Sequence, residues 1–541
     1  MKRPIVLWTI SLLLVVLFSS FAYAISWDDG KLTVDYSTSV YYEKVYGNAS
    51  KSSLDVSGDN HDQWHYNQSL KVRLNQKITD DLALEMFGYV RNTSDGKVMD
   101  HQWYLLQAYL RIYNDNFELA AGDISEYLSR YTFNNTFLGA KLWYRPSSRF
   151  KFIVLGGRNR DPNEDLYEHF FGGARVEYSP NSLYLFGLNY IHTEITDLKG
   201  ATTLPDYRND VWSLDTKMRF LDRKLILGGE FAGSEYSDDT GKDLDGWAVD
   251  LELDYRPIRE LKLSLDYERV EPDFRTIMGT APIDNEIIKA GFSYRPSEIW
   301  NFWGEYKFTR NDLGAESEAQ YRTYKNYGVL GSDWRPFNDA SGYFKNLKLE
   351  LQFDYTDKIS NDHPRSVDSD GYQMKFLASN RYDKMYYAFE YRFTYDDDHT
   401  LDGEDSMTNT FGVKWAYSLF ALNLDWKLGL GYKVNLKNTY EKDPNETIFS
   451  TTHVIDADLG LFYAPTKTSF SASYIGSFTD AEDADNIVRN GVKVALEQVL
   501  YESDSLKSIA GISYENMDFK SSNEEDSYGH NICMFYMTFH F

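Results

Sequence analysis

This chain of 541 residues has a single cysteine, Cys533. No internal disulfide can form, so a long exported chain of this composition must draw its stability from elsewhere. There is no Cys-x-x-Cys-His, which excludes covalent c-type haem on the chain itself. There is no Gly-x-Ser-x-Gly nucleophile elbow. The acidic run from Asp238 to Gly246 lacks the spacing and final Glu of a calcium loop. Basic residues are outnumbered by acidic ones, 56 to 82, for a formal net charge of −26. That balance repels phosphodiester backbones, so no nucleic-acid partner is expected. Beyond the amino-terminal segment no run of about 20 apolar residues occurs, so no transmembrane helix is expected. His61 and His65 are four apart at a loop-to-strand junction, where that spacing does not make one helical face. They are read as isolated exposed histidines. The expectation is no enzyme, no bound metal and no cofactor.

What is present is more specific. Lys2 and Arg3 precede the mainly apolar stretch Ile5 to Phe18, and Phe21-Ala22-Tyr23-Ala24 follows. Ala22 and Ala24 make a small-x-small cleavage site, so residues 1–24 are expected to be a signal peptide and 25–541 one mature domain. Tyr (43) and Phe (33) are abundant. Many of them sit in long runs of strict alternation. Val249, Leu251, Leu253 and Tyr255 alternate with Asp250, Glu252 and Asp254. Leu261, Leu263 and Leu265 alternate with Lys262, Ser264, Asp266 and Glu268. Leu347 to Tyr355 interleaves with Lys348, Glu350, Gln352 and Asp354, and Leu424 to Tyr432 with Asp425 and Lys427. Period two over eight to twelve residues predicts strands with one apolar and one polar face, long enough for a tilted bilayer crossing.

The punctuation is as regular as the strands. Tyr144-Arg145-Pro146, Tyr255-Arg256-Pro257, Tyr294-Arg295-Pro296 and Trp334-Arg335-Pro336 repeat one unit, with variants at Tyr178 and Tyr463. An aromatic ring suits a membrane interface, Arg reaches headgroups, and Pro opens a tight turn. Longer acidic segments lie between these units. Short turns at one end and longer loops at the other predict an all-β, up-and-down antiparallel transmembrane barrel of about 26 strands, with 22–26 in range. The aromatic-x-Pro turns should share one end. Twenty-six strands about 4.8 Å apart and tilted about 40° close at roughly 50 Å. Something must fill that bore. Candidates within the chain are Tyr46 to Asp62, Glu194 to Arg208, and Val270 to Glu286. The last carries Phe274, Ile277 and Met278, and would either fold into the lumen or pack on a neighbouring loop. The polar faces, namely Asp250, Glu252, Asp254, Lys262, Asp266, Glu268, Lys348, Glu350, Asp354, Asp425 and Lys427, are expected to line the lumen. They would form a hydrated wall with charges paired across strands, a cation-favouring lining, or a surface complementary to a basic partner.

The final residues read GHNICMFYMTFHF. Cys533, Phe535, Met537, Phe539 and Phe541 share one face. A terminal strand with an unbroken apolar face and a carboxy-terminal Phe resembles the closing strand of bacterial outer-membrane β-barrels. That resemblance implies recognition by the β-barrel assembly machinery, contact with outer-membrane lipid, and location in the outer membrane of a Gram-negative bacterium. Without a plug domain or a periplasmic domain, the mature chain resembles the barrel subunit of porin–cytochrome conduits. That likeness implies a sheath for a multihaem c-type cytochrome in electron transfer across the outer membrane. Many members carry a Cys-x-x-Cys near the mature start, which this chain lacks. The other reading is a solute-conducting porin narrowed by its own loops.

Overall fold

In the computed structural model, the described residues are 26–27, 30–47, 62–95, 103–159, 167–197, 206–311, 313–314, 322–338, 341–362, 365–400, 403–440, 447–482, 485–503, 506–522 and 527–540. The expected signal peptide with Ala22 and Ala24, together with His61 and Phe541, lies outside them. The stub β1 (Ser26–Trp27) pairs with β2 (Gly30–Gly47). There follow β3 (Asp62–Thr79), β4 (Leu82–Thr93), β5 (Trp103–Asn114), β6 (Phe117–Ser129), β7 (Phe133–Ser147), β8 (Phe150–Asn159) and β9 (Tyr167–Asn181). Next come β10 (Tyr184–Asp197), β11 (Tyr207–Phe220), β12 (Leu225–Asp238), β13 (Asp243–Ile258), β14 (Leu261–Val270), β15 (Asn285–Tyr294), β16 (Trp300–Asn311), β17 (Thr323–Trp334) and β18 (Lys348–Ser360). The series ends with β19 (Asp368–Tyr382), β20 (Met385–Asp398), β21 (Asp405–Ala421), β22 (Leu424–Tyr440), β23 (Thr447–Tyr463), β24 (Thr468–Ala481), β25 (Ile487–Glu502), β26 (Lys507–Ser521) and β27 (Tyr528–His540).

Each strand pairs antiparallel with its chain neighbours, and β27 returns to β2 from Asp35↔His540 to Gly47↔Tyr528. The result is the closed antiparallel barrel of 26 strands expected from the alternation. An even, antiparallel cycle brings both ends of the barrel to one rim. At the seam, Glu43 on β2 accepts from His530 on β27 at 2.9 Å and lies 3.5 Å from His65 on β3. His65 is buried and stacks on Tyr41, so its expected exposure is corrected. The carboxylate that shields it arrives from another strand, which local spacing does not show.

The aromatic-x-Pro turns all fall at the rim where β2 begins and β27 ends. They share one backbone device. The residue before each Pro donates its N–H to the carbonyl of the preceding turn: Arg145 to Asn116 (2.8 Å), Arg256 to Lys224 (2.7 Å), Arg295 to Glu260 (2.8 Å) and Arg335 to Ile299 (2.9 Å). The proline that follows has no N–H to offer, so the ladder stops there. At the β21–β22 turn, Leu422 and Asn423 both take positive φ (57° and 61°), the geometry of a two-residue hairpin whose twist matches its strands.

The outer face is apolar and open to its surroundings: Leu251, Leu351, Phe353, Leu430 and Ile512 are all exposed. Phe539 shares this face but is covered, packing 6.3 Å from Tyr36. Away from the termini, a ring of tyrosines bounds this band. Tyr267, Tyr306, Tyr355, Tyr391, Tyr432, Tyr474 and Tyr514 recur on every second strand from β14 to β26. Each hydroxyl bonds a polar side chain on the next strand: it donates to Glu286, Asn326, Asp370, Asn409, Asn490 and Asn531, and Tyr432 pairs with the His453 ring, all at 2.7–3.0 Å. Each partner lies one diagonal step above the ring, so the ring marks where the outer wall turns polar. Replacing Leu351 by Arg is expected to cost about 2–4 kcal/mol near mid-bilayer. An Arg at Ser471, on the opposite face of β24, is expected to cost less than about 1 kcal/mol. Guanidinium unfolding from liposomes measures both, and equal costs would contradict this facing.

Candidate functional site

The interior is not empty. At Gly122 the backbone takes φ +113°, and a Cβ there would lie 2.2 Å from the Ala108 carbonyl oxygen. Only glycine fits. The β5–β6 ladder ends at this residue, Tyr109↔Gly122. Asp123 then takes the freed Ala108 N–H at 2.6 Å. Beyond this point β6 leaves β5, and β7 joins β8 only from Phe137 onward. The intervening hairpin tip folds away from the wall. Its contacts run in order across the sheet. The Leu128 carbonyl accepts from Arg175 on β9 (2.8 Å), and Ser129 meets Ser213 on β11 (3.1 Å). The Arg130 N–H donates to Glu230 on β12 (3.2 Å), and its guanidinium reaches Asp250 on β13 (3.6 Å) and Glu268 on β14 (2.7 Å). Only the concave side of a cylinder brings so many strands within reach of one tip. The contacted face, with Glu230, Asp250 and Glu268, is therefore the inward one.

The connection from Glu271 to Asp284 folds in beside the hairpin. Thr276 donates to the Tyr131 carbonyl (2.6 Å), Asn134 N–H to Met278 (2.8 Å) and Thr280 N–H to Arg130 (2.9 Å). Asn209 on β11 donates to the Arg275 carbonyl at 3.1 Å. Phe274 is fully buried and meets Tyr131 edge-on, 5.8 Å between ring centres. Of the two outcomes expected for this segment, folding inward is the one found. The backbone of β13 makes room for it: a Cβ at Gly246 would lie 2.1 Å from the Phe274 nitrogen. Leu128, Phe133, Phe137, Phe171, Ile153, Val211, Val270 and Met278 complete an apolar core between plug and wall. Burial opposes the Arg130 charge, but Glu268, Tyr131 and Asp250 outweigh it and raise its pKa. Burial, followed by Glu268 and Asp250, pushes the Tyr131 phenol up, so it stays a donor.

The sequence-predicted wall residues divide into three groups. Asp250 and Glu268 hold the plug. Others pair along the wall: Lys262 with Asp254 (2.9 Å), and Glu350 with Lys348 (3.0 Å) and Lys375 (3.1 Å). Asp354 accepts from Tyr327 (2.9 Å) and from Gln352 and Gln373. Glu252, Asp266, Asp425 and Lys427 share this face by register and make no ion pair among the described residues. Sequence reasoning missed Arg130, Glu230 and the Arg175–Asp215 bridge (3.0 Å) that supports the tip from below. The available signal was a lapse in alternation, with Ile124, Leu128, Phe133 and Phe137 set around a Gly-Asp step. Among the described residues, no group of three or more His, Cys, Asp or Glu could hold a metal.

No protein-family model matches the chain, and no curated protein matches it. Among solved structures, the translocation pore of the P pilus usher PapC is similar at 8% identity, covering 94% of this chain and 98% of that one, with a TM-score of 0.41. OccK5 from Pseudomonas aeruginosa is 12% identical over 68% of this chain and 98% of its own, TM-score 0.35. The anion-selective porin from Comamonas acidovorans is 12% identical over 52% and 90%, TM-score 0.30. The assignment rests on the chain's own geometry. A closed, even-stranded antiparallel cylinder with an apolar outer band and a polar inner wall defines a bacterial outer-membrane β-barrel.

Two substitutions test the plug. Phe274→Ala should remove about 3–5 kcal/mol of local packing. Gly246→Val should displace the segment by collision. Both are expected to raise hydrogen exchange across residues 271–284 while exchange in β20–β24 stays unchanged.

Proposed function

We propose that this chain is a passive channel for hydrophilic solutes whose bore is set by its own inward hairpin. The observation that carries the reading is the anchored plug: the β6–β7 tip and the Glu271–Asp284 segment lie against β9 to β14, held by an apolar core and by Arg130. A loop that only shielded the mouth would need no such latch. The remaining inner wall is polar, which suits water and dissolved solutes. The barrel would reside in the outer membrane of a Gram-negative bacterium, with the short-turn rim in the periplasm and the closing strand read by the assembly machinery. No enzymatic role is assigned.

A second reading has one observation in its favour. At about 50 Å for 26 strands, a plug confined to one arc leaves a wide polar wall uncovered. That space suits a sheath around a partner protein, and on the porin–cytochrome resemblance the partner would be a multihaem c-type cytochrome.

Planar-bilayer recording of the purified barrel separates the two. The channel reading expects discrete conductance steps. Replacing residues 124–136 by a short Gly-Ser linker should raise each step several-fold. Co-purification of a haem protein, with electron transfer to a dye enclosed in liposomes and no solute leakage, would replace the channel by the sheath.

A further inference from the structure

On the inward face just beyond the plug, the charge pattern changes. Asp266 on β14 stands opposite Lys289 on β15. Lys289 in turn stands directly opposite Lys307 on β16. Thr309, two residues along, stands opposite Lys325 on β17, and Lys325 stands directly opposite Lys358 on β18. Four lysines thus form one row across four neighbouring strands, with two like-charged pairs in register. Such opposition destabilises a sheet. Lower on the same strands the chain avoids it: Lys348 bonds Asp333 and Glu350. Among the described residues, only Lys289 in the row has a carboxylate partner, Glu305 at 3.0 Å. Lys307, Lys325 and Lys358 make no ion pair among the described residues, and the last two are exposed. The row starts at the edge of the plug, since Lys289 faces β14 one diagonal step from the Glu268 that holds Arg130. It therefore borders the free passage.

We propose that this lysine row is an oxyanion-binding lane, which takes solutes bearing phosphate or carboxylate groups through the passage beside the plug. The lane rests on the channel reading above. An anion between the facing ammonium groups relieves their repulsion, and two such pairs one diagonal step apart let it pass from one to the next without a single deep trap. In a chain with a formal charge of −26, a local row of lysines, three of them without an ion pair among the described residues, gives this part of the lumen a preference opposite to the one the net charge would set.

The test uses inorganic phosphate as the probe in single-channel recordings of the full barrel in KCl. Phosphate should reduce the wild-type current in a saturable way. The double variant Lys325→Glu/Lys358→Glu should need at least tenfold more phosphate for the same reduction and should shift the reversal potential toward cations. Lys325→Arg/Lys358→Arg should retain the block. Variants are compared as folded barrels, judged by heat-modifiable electrophoretic mobility. Wild-type conductance without phosphate block, or block unchanged in the Glu variant, overturns the lane and leaves the channel standing. Absence of any conductance overturns both.

Discussion

A bilayer interior offers no water to a peptide group, so each N–H and C=O that crosses it must find its partner within the protein. For a chain with no long apolar helix among its described residues, that constraint leaves one solution, a sheet that meets itself. The seam between β2 and β27 is therefore the contact on which the rest depends. It fixes an even number of strands, brings both ends of the barrel to one rim, and commits the outer face to lipid. It also sets the width. Twenty-six strands enclose more space than side chains from the wall can fill, so the interior becomes a second folding problem solved with the same chain.

The solution places an apolar core where one would not be sought, inside a polar tube. The hairpin tip leaves the wall at a glycine that no other residue could replace, and its aromatic residues meet those of the Glu271–Asp284 segment. Around this core the wall supplies carboxylates from separate strands to one arginine. The core gives adhesion without position, and the ion pairs give position but little net energy once desolvation is counted.

Much of the cylinder was legible in the sequence because its signals are local. Alternation around Leu251, Leu351 and Leu430 gives the strands their two faces, and each aromatic-x-Pro unit marks a rim. The interior was less legible because its determinants are distant in sequence. The direction of the Val270 to Glu286 connection depends on Gly246 and Tyr131, which no local window contains. His65 looked exposed because the Tyr41 ring and the Glu43 carboxylate that lie against it come from β2, with Glu43 itself held by His530 from β27 at the far end of the chain. Nothing local marks Arg130, since the acidic partners of its guanidinium, Asp250 and Glu268, lie more than a hundred positions away.

The plug is also a brace. It ties β6 and β7 to β9 through β14 by a packed bridge, and nothing comparable among the described residues spans β15 to β27. A tube stiffened along one arc resists bending there and yields along the other. Under lateral pressure in the membrane, the unbraced wall is expected to flatten before the braced one does. The cross-section becomes a mechanical variable, softer on the side where the lysines lie.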